Sequence, residues 1–472
     1  MKAKAPVLTV AGQCHLSNIS PSFLQALQHS LTIDNPKYKD AKKYGRWVGK
    51  NFKRKLVFFE LAEEGILFPR GFAAQAVELC KRYMGRGPVI KDLRRRLEEV
   101  DFNFYGTLRP YQEEAVKDIM RRQFGVLVSA TGSGKTVMAF EVIAKRRQPT
   151  LILVHSRELM YQWEERARQF LGIQAGLIGD SKFAIMPLSI AIVNTARKRL
   201  VEITPCFGHL IVDECHRVPA TLFTEVVKKF DSYFMLGLSA TAYRREDGLT
   251  RLIYLYMGDR SHQVDPEELT ASGAVLKPEF IQKTTDFKYI FRGNYQALMN
   301  SLTKNEIRTR QIAEDIHEEA MKTEGIILVV SDRVAHCRKI GEMLAGKGVQ
   351  VTILTGRQTM AERTEIVEAV HRGDVKILIA TLQLVGEGFD AENLTTLFLT
   401  TPIKFTGRLK QVIGRILRPA SGKQPKVIDY VDEHIGVLRN SAGIRRRAYE
   451  MNSGCCAAGM SMPCNLLIII VF

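Results

Sequence analysis

A glycine-rich loop between an apolar segment and a helical segment is the feature that most constrains the fold of this chain. The segment Phe124–Ala130 (FGVLVSA) has the continuous apolar character of a short buried strand, and Val137 begins a stretch typical of a helix. Between them, Gly132 and Gly134 can adopt backbone angles that a side chain would resist, so the backbone can wrap around an anion. The N–H groups at the start of the helix face the same anion. The order of strand, loop and helix therefore predicts an α/β fold with a phosphate site at the end of a strand.

The side chains of this loop (SATGSGKT) suit a nucleotide bound together with Mg²⁺. Gly132, Ser133 and Gly134 are expected to cradle the phosphates of ATP. Lys135 would reach the β- and γ-phosphates, and Thr136 would bring its hydroxyl to the metal. The alternative is a glycine-rich turn with a surface lysine, which the strand before it and the helix after it disfavour.

A pair of adjacent carboxylates follows a second apolar strand. The segment His209–His216 (HLIVDECH) places Asp213 and Glu214 directly after the buried run Leu210–Val212. Two adjacent carboxylates at the end of a strand are costly unless a cation or a reaction uses them. We therefore expect Asp213 to hold Mg²⁺ and Glu214 to position or deprotonate an attacking water. A solvated acidic turn is the alternative, and Cys215 is interpreted as a small packing residue.

Two arginines far along the chain share a helical spacing with a glutamine. If residues 408–418 are helical, Gln411, Arg415 and Arg418 lie at positions i, i+4 and i+7 and share one face. The segment follows the buried run Thr395–Thr401, at the place where a second domain would face the first. We expect Arg415 and Arg418 to stabilise charge on a transferred phosphoryl group, as arginine fingers do. A solvated helix face is the alternative.

Composition and charge favour a protein that binds a polyanion. The chain has 472 residues, of which 46% are hydrophobic and 25% charged, with a formal net charge of +18 and a pI near 9.5. This charge suits nucleic acid, but it does not separate DNA from RNA or the ribosome. The eight cysteines include no C-x-x-C pair, no secretory signal begins the chain, and no run approaches the ~20 apolar residues of a membrane helix. We expect a cytoplasmic protein, in the host cell if the chain is viral, with no membrane partner.

The segment Lys37–Lys55 concentrates positive charge near the amino terminus. It holds nine lysines and arginines against one acid, Asp40, with four aromatic residues between them. Basic side chains neutralise phosphates, and aromatic rings can stack on bases. We therefore expect Lys43, Arg46 and Trp47 to contact nucleic acid. The alternative is a solvated face over a small core that the aromatic residues form.

Apolar runs divide most of the remaining chain into two similar halves. Continuous apolar strands alternate with helical stretches in residues 104–278 and again in residues 279–450, which is typical of parallel sheets covered on both faces. Residues 1–103 precede these halves as a separate domain. Residues 451–472 carry no charged side chain and are expected to form a disordered or aggregation-prone tail. The predicted buried strands include Thr150–Val154, Ala191–Asn194, Leu210–Val212, Met235–Leu238, Gly325–Val330, Gln350–Leu354, Val375–Ile379, Thr396–Leu399 and Lys426–Tyr430.

Candidate contacts to nucleic acid follow from the same strands. In parallel α/β sheets, ligands bind in the loops at the carboxyl ends of the strands. For Arg157, a surface charge without a ligand is an open alternative. The residues at such strand ends that suit contacts to phosphates are Arg157, Thr195, Arg333, Thr355 and Thr381.

Together these segments resemble the motifs of superfamily 2 helicases with a DExH-type box. Four of them are similar to the adenine-reading motif, the acidic box, the motif that couples hydrolysis to strand movement, and the sixth motif: Leu108–Gln112 (LRPYQ), Asp213–His216 (DECH), Ser239–Thr241 (SAT) and Gln411–Arg418 (QVIGRILR). Thr381 with the segment GEGFD, residues 386–390, resembles the fifth motif.

The resemblance implies a fold, cofactors and further site residues. The implied fold is two RecA-like, doubly wound parallel-sheet domains in tandem, preceded by a small α+β amino-terminal domain. The implied cofactors are ATP and Mg²⁺. Further residues are assigned to ATP (Arg109, Gln112, Gly388, Asp390 and Gln411) and to the coupling of hydrolysis to strand movement (His216, Ser239 and Thr241).

Two further segments resemble particular branches of this family. The sequence RED, residues 245–247, is similar to a detail of XPB-type DNA helicases. Residues 35–46 with 69–71 resemble the front domain of bacteriophage UvsW-type recombination helicases. The resemblance implies an ATP-dependent DNA helicase or translocase, compatible with a monomer, that remodels branched DNA. It would bind single strands and branched duplexes, migrating forks or Holliday junctions in recombination, repair or replication.

Two other functions stay open. A DExH-type RNA helicase would carry the same motifs, because these read phosphates rather than sugars. A nucleotide-dependent switch that binds nucleic acid without moving along it would also need the phosphate loop. An intact Glu214 and the arginine pair Arg415 and Arg418 argue against the switch.

Overall fold

The computed structural model describes residues 4–36, 38, 41, 53–215, 220–240, 250–386, 393–403, 406–420 and 422–452. Several residues with predicted roles lie outside these ranges, as does the segment 453–472. They are Lys43, Arg46, Trp47, His216, Thr241, Gly388 and Asp390. The side chain of Gln411 also lies outside the described part of the chain.

A small mixed sheet with two helices forms the amino-terminal part of the fold. Its strand order is β5-β6-β2-β1-β7, with a separate β3-β4 ribbon. Helix α1 begins where Ser20 accepts a hydrogen bond from the Phe23 N–H, and it buries Phe23 and Leu27 one turn apart. The elements are β1 Val7–Val10, β2 Gln13–Ser17, α1 Pro21–Ser30, β3 Thr32–Asp34, β4 Lys55–Val57, β5 Glu60–Ala62, β6 Gly65–Pro69, a 3₁₀ turn Arg70–Phe72, α2 Ala73–Met84 and β7 Val89–Asp92.

An eight-stranded sheet follows, in the order β11-β10-β12-β9-β13-β14-β8-β15. All its pairs are parallel except β10 with β11. Its strands are β8 Phe124–Val128, β9 Thr150–Val154, β10 Gly176–Gly179, β11 Lys182–Phe183, β12 Leu188–Ile192, β13 His209–Val212, β14 Phe234–Ser239 and β15 Arg260–Gln263. Its helices are α3 Pro110–Met120, α4 Lys135–Arg146, α5 Arg157–Leu171, α6 Val193–Lys198, α7 Leu200–Ile203, α8 Ala220–Val227, α9 Thr250–Met257 and α10 Pro266–Ala271, with a 3₁₀ turn at Thr204–Cys206.

A second, six-stranded sheet is parallel throughout, in the order β16-β21-β20-β17-β19-β18. Its strands are β16 Glu279–Thr284, β17 Ile326–Ser331, β18 Val351–Leu354, β19 Ile377–Thr381, β20 Leu394–Leu399 and β21 Lys426–Val431. Its helices are α11 Tyr295–Lys304, α12 Glu306–Lys322, α13 Val334–Ala345, α14 Met360–Arg372, α15 Leu382–Gly386, α16 Thr406–Ile416 and α17 Gly436–Asn452. Within the described residues, no helix is both long and apolar enough to cross a membrane.

The predicted fold class is confirmed, with two doubly wound parallel sheets in tandem after a small α+β unit. Each large sheet has a separate apolar cluster on each face, which explains why its strands read as continuous apolar runs. The domain boundaries at 103, 278 and 450 stay a prediction.

Two of the predicted elements differ at their ends in ways that affect candidate site residues. The predicted strand Ala191–Asn194 is instead Leu188–Ile192, and Val193 begins a helix. Its partner strand ends at Val154, paired with Ile192, so later residues have no neighbouring strand to pair with on that side. The predicted helix 408–418 is instead Thr406–Ile416. Arg418 therefore follows the helix and does not share a helical face with Gln411.

The small sheet and the eight-stranded sheet share one apolar core. A single cluster of buried side chains runs from Leu8, Phe68 and Phe72 to Val226 and Met257. A Cβ on Gly71 would lie 2.4 Å from the carbonyl oxygen of Tyr254, so only glycine allows this approach. The two units therefore pack as one body.

Arg70 fixes this contact through polar groups. Its guanidinium is buried and donates to the Ser232 carbonyl oxygen over 2.8 Å and to the Met235 sulfur over 2.9 Å. Burial lowers the pKa of Arg70 to about 10, so the side chain stays charged at neutral pH. Met235 belongs to β14, the strand that ends at Ser239. The small sheet therefore touches the strand that carries the predicted coupling motif.

The connection between the two units runs along the amino edge of the eight-stranded sheet. Arg95 forms a bidentate ion pair with Asp231, with N–O distances of 3.1 and 2.9 Å. Leu97 exchanges two hydrogen bonds with the Gln148 amide, and the Tyr105 N–H donates to the Phe170 carbonyl oxygen. These bonds hold residues 95–105 in place along this edge.

Candidate nucleotide and nucleic-acid site

The glycine-rich loop follows β8 and leads into α4. Gly132 and Gly134 have φ angles of +87° and +81°, in the left-handed region that favours glycine. A Cβ on Gly134 would also lie 2.3 Å from the Gln112 amide nitrogen. Both glycines are therefore required by backbone conformation, and Gly134 by space as well.

Lys135 lies across the inside of this loop. Its Nζ donates to the carbonyl oxygens of Ser129 and Ala130, over 2.9 and 3.1 Å. An ammonium held by two neutral carbonyls can exchange them for the stronger charge-assisted bonds of a phosphate. The Ser133 hydroxyl is buried and, within the described residues, has no hydrogen-bond partner, so a phosphate oxygen could accept from it.

The predicted adenine motif is hydrogen-bonded to the phosphate loop. Gln112 is buried, its Oε1 accepts from the Arg109 N–H over 2.9 Å, and its Nε2 donates to the Ser133 carbonyl oxygen over 3.0 Å. The Tyr111 hydroxyl donates to the same carbonyl over 2.9 Å. Both ends of the Gln112 amide thus bind protein in this structure, and contact of Arg109 or Gln112 with the base stays a prediction.

The acidic pair lies at the carboxyl end of β13. Asp213 is buried; its Oδ2 accepts from Trp163 Nε1 and its Oδ1 from the Glu214 N–H, both over 2.8 Å. Burial, and after it the neighbouring Glu214 carboxylate, raise the pKa of Asp213 to about 6. The charge of Lys135 acts in the opposite direction, which places the phosphate-loop cation within electrostatic reach of this carboxyl.

Trp163 is a site residue that the sequence did not single out. It lies on the buried face of α5, with Met160 and Ala167. The apolar periodicity of that helix predicts a core tryptophan, and nothing in it indicates that the indole N–H binds a carboxylate 50 residues away.

Glu214 has an unusual backbone conformation for a residue with a side chain. Its φ is +45°, and such a conformation costs about 1–2 kcal/mol for a non-glycine residue. Hydrogen bonds on both sides hold it, from the Asp213 N–H to the Leu153 carbonyl and from the Cys215 N–H to the Leu238 carbonyl. Backbone strain that the surroundings hold in place is typical of functional positions.

The arginine helix, α16, belongs to the six-stranded sheet and approaches the phosphate loop of the eight-stranded sheet. A Cβ on Gly414 would lie 2.8 Å from the Thr131 Cβ, so α16 packs against the loop at a position where only glycine fits. Arg415 is the next residue and is half-buried, as is Arg418 beyond the helix end. The Leu276 N–H donates to the Leu417 carbonyl over 2.8 Å and fixes that end. The sixth motif of the sequence includes Gly414, but sequence reasoning gave this residue no role.

The predicted coupling strand also joins the loop. Ser239, the last residue of β14, is buried, and its carbonyl oxygen accepts from the Ser129 N–H over 3.0 Å. The coupling role of Ser239 stays a prediction. Its predicted partners His216 and Thr241 lie outside the described residues.

The candidate nucleic-acid contacts lie at or just beyond the carboxyl ends of their strands. Arg157 follows β9 and Thr195 lies in the helix after the neighbouring β12, whereas Arg333, Thr355 and Thr381 lie at the ends of β17, β18 and β19. They therefore form one group on each sheet. Contact with nucleic acid stays a prediction for all five.

Arg157 has a counter-ion that sequence reasoning missed. Its NH1 lies 3.0 Å from Asp180 Oδ1, and the Tyr161 hydroxyl donates to Asp180 Oδ2 over 2.8 Å. Asp180 lies in the turn between β10 and β11, with a φ of +51°. Both charges are part-exposed, so the pair is weak and a phosphate could replace the carboxylate.

These residues fit ATP with Mg²⁺. The glycine cradle, the Ser133 hydroxyl and Lys135 suit the phosphates. Mg²⁺ in such sites takes one or two protein oxygens together with phosphates and waters. The carboxylate of Asp213 and the hydroxyl of Thr136 would supply these protein oxygens. Within the described ranges there is no cluster of three or more His, Cys, Asp or Glu side chains that could hold a metal without a phosphate.

Two family models match separate regions of this chain. The family model described as "Type III restriction enzyme, res subunit" matches residues 105–244, and "Helicase conserved C-terminal domain" matches residues 308–420. The DNA 3'-5' translocase XPB2 of Sulfurisphaera tokodaii is 25% identical over 377 residues, covering 72% of this chain and 84% of that protein. The probable helicase D10 of Escherichia phage T5 is 26% identical over 328 residues, covering 68% and 70%.

Among solved structures, S. cerevisiae Dbp5 bound to RNA and ADP BeF3 has a TM-score of 0.54. Its identity is 15%, with 74% of this chain and 88% of that chain covered. A likeness at this level of identity concerns the fold alone.

Proposed function

The chain belongs to the superfamily 2 helicases and is an ATP-hydrolysing enzyme, and from this premise we propose that it is a DNA translocase that remodels branched DNA. The observation that carries the proposal is the packing of Gly414 against Thr131, because it brings the arginine segment of one sheet to the phosphate loop of the other. Hydrolysis at such a site depends on how the two sheets are placed. A strand held by both sheets would then be moved as they open and close.

The residues of this chain have separate tasks in hydrolysis. When bound, ATP with Mg²⁺ supplies the phosphoryl group and the metal charge. Lys135 leaves the carbonyls of Ser129 and Ala130 to bind phosphate oxygens. Asp213 and Thr136 would hold the metal, and Glu214 would position the attacking water or take a proton from it.

The arginines stabilise the charge that develops during transfer. Arg415 follows Gly414, which packs against the phosphate loop, so we expect Arg415 and Arg418 to reach the transferred phosphoryl group from the six-stranded sheet and to report closure of the two sheets. Ser239 links the loop to β14, and Arg70 links β14 to the small sheet. Movement at the nucleotide can thus reach all three units.

DNA is favoured over RNA by several observations of different kinds. A relative is named a DNA 3'-5' translocase, and residues 245–247 resemble XPB-type helicases. The front segment resembles that of UvsW-type helicases, which motivates branched DNA, and phage T5 encodes another relative. We therefore propose roles in recombination, repair or replication of DNA, with a bacteriophage as a source that fits.

The ATPase rate with different nucleic acids tests this proposal. Single-stranded DNA, duplex DNA, a fork, a four-way junction and RNA are compared, with Glu214→Gln as the control for activity of this site. The proposal expects the highest rates with the fork or junction and none with the variant. Stimulation by RNA but by no DNA would instead favour the DExH-type RNA helicase.

A switch that binds nucleic acid without hydrolysis-driven movement is the remaining alternative. Strand displacement from a fork separates it from the motor. The motor displaces the strand and loses this activity when Glu214 is replaced by glutamine, whereas a switch would bind the fork with ATP but displace no strand even as the wild type.

A further inference from the structure

An exposed loop with apolar and basic side chains projects from the six-stranded sheet between β16 and α11. Ile290 and Phe291, at its tip, are 78% and 38% exposed. Lys288 and Arg292, on either side, are exposed as well. Burying two adjacent apolar side chains would be favourable, so this tip is a candidate binding surface.

The base of this loop is held firmly on both sides. Before the tip, Thr285 donates a 2.6 Å hydrogen bond to Asp432, whose carboxylate forms a buried ion pair with Arg308. Phe287 is 4% exposed and packs in the small core that includes Leu298 and Leu438. The loop therefore presents its tip from a rigid base.

After the tip, Asn294 ends the loop by capping α11. Its Oδ1 accepts from the Ala297 N–H over 3.1 Å. Anchors at both ends lower the entropy that the tip would lose when it binds a partner.

The loop emerges on the side of the sheet where the candidate nucleic-acid contacts lie. β16 is parallel to β21 and ends at Thr284, so the loop begins at the carboxyl edge. Gln296, in the first turn of α11, accepts a hydrogen bond from the Arg333 guanidinium. The helix that follows the loop thus contacts Arg333, which is itself a predicted contact.

We propose that residues 288–292 bind an unpaired nucleic-acid strand. The ring of Phe291 and the side chain of Ile290 pack against bases, and Lys288 and Arg292 neutralise the adjoining phosphates. Cations on both sides of the apolar tip favour this polyanion over an apolar protein surface. The inference rests on the proposed function and extends it, because it adds a base-contacting element to motifs that read the backbone.

The double variant Ile290→Ala/Phe291→Ala tests the apolar tip. The DNA concentration that half-maximally activates the ATPase should rise about fivefold or more, as expected for loss of base stacking. The rate without DNA should not change. Met321→Ala is the matched control, because Met321 is also 78% exposed but lies at the end of α12, near the amino edge of the sheet.

The basic side chains have a separate readout. In Lys288→Ala and Arg292→Ala, the slope of log affinity against log salt concentration should fall by about one each. Single-stranded DNA carrying 5-iodouracil should crosslink to residues 288–292 on irradiation, with Phe291 as the main site.

The outcomes separate this inference from the proposed function. If no nucleic acid stimulates the wild-type ATPase, both fail. If single-stranded DNA stimulates the wild type and the double variant at the same concentration, and no crosslink maps to the loop, the inference alone is wrong.

Discussion

At the scale of single residues, the backbone of Glu214 distinguishes a functional position from an ordinary surface acid. Its φ of +45° suits glycine, yet a carboxylate stands there. Glu214→Gly and Glu214→Ala should both lose hydrolysis, but the glycine variant should be more stable by about 1 kcal/mol, because it relieves the strain. Chemical unfolding of the two variants measures the difference. Equal stability would contradict the argument.

Sequence spacing predicts which chemical groups this site contains better than it predicts the contacts between them. The placement of Lys135, Asp213 and Glu214 at the site follows from strand ends and a glycine loop, which are local patterns. The bond from Trp163 to Asp213 and the ion pair of Arg157 with Asp180 depend on residues brought together by the sheet. A single sequence carries no signal for such pairs.

At the scale of elements, the contact of α16 with the phosphate loop gives a sharp test. Gly414→Ala places a methyl group 2.8 Å from Thr131 and must move the arginine helix away from the loop. A misplacement of about 1 Å can lower the rate of ATP hydrolysis by about 10²-fold while the protein stays folded. Steady-state ATPase measurements check this.

Gly443→Ala is the control for the glycine substitution in α16. Gly443 also lies in a helix, α17, and a Cβ there would meet nothing within 4 Å. This variant should keep wild-type activity and gain stability of about 1 kcal/mol or less. If both variants kept full activity, close packing of α16 on the loop would not matter for hydrolysis.

Element ends were harder to predict than the elements themselves. Val193 continues an apolar run, but the neighbouring strand ends at Val154, so the chain turns into a helix. The arginine helix similarly ends at Ile416, two residues before Arg418. Apolar runs identify what is buried, whereas the ends depend on the partner strand or helix.

At the scale of the whole molecule, the shared core makes the small sheet part of the first large unit. Arg70→Ala leaves the Ser232 carbonyl without its donor and opens a cavity, and should cost on the order of 3 kcal/mol. Arg82→Ala, at an exposed position on α2, should change the free energy of unfolding by less than about 0.5 kcal/mol. Equal stability of the two variants would show that Arg70 does not join the units.

The same core decides how the basic front segment is best tested. Deleting residues 1–103 would expose apolar side chains on the eight-stranded sheet, so point variants are more informative. Lys43→Ala/Arg46→Ala should weaken fork binding and lower its salt slope by about two, with the rate without DNA unchanged. An unchanged slope would remove these residues from the DNA contact.

The dependence of hydrolysis on both large sheets is the central claim, and Arg415→Ala measures it most directly. ATP binding and DNA-stimulated hydrolysis are compared for this variant and the wild type. We expect binding to be retained and the rate of hydrolysis to fall on the order of 10³-fold, because the charge on the transferred group loses its partner from the second sheet. Hydrolysis at the wild-type rate would contradict the account.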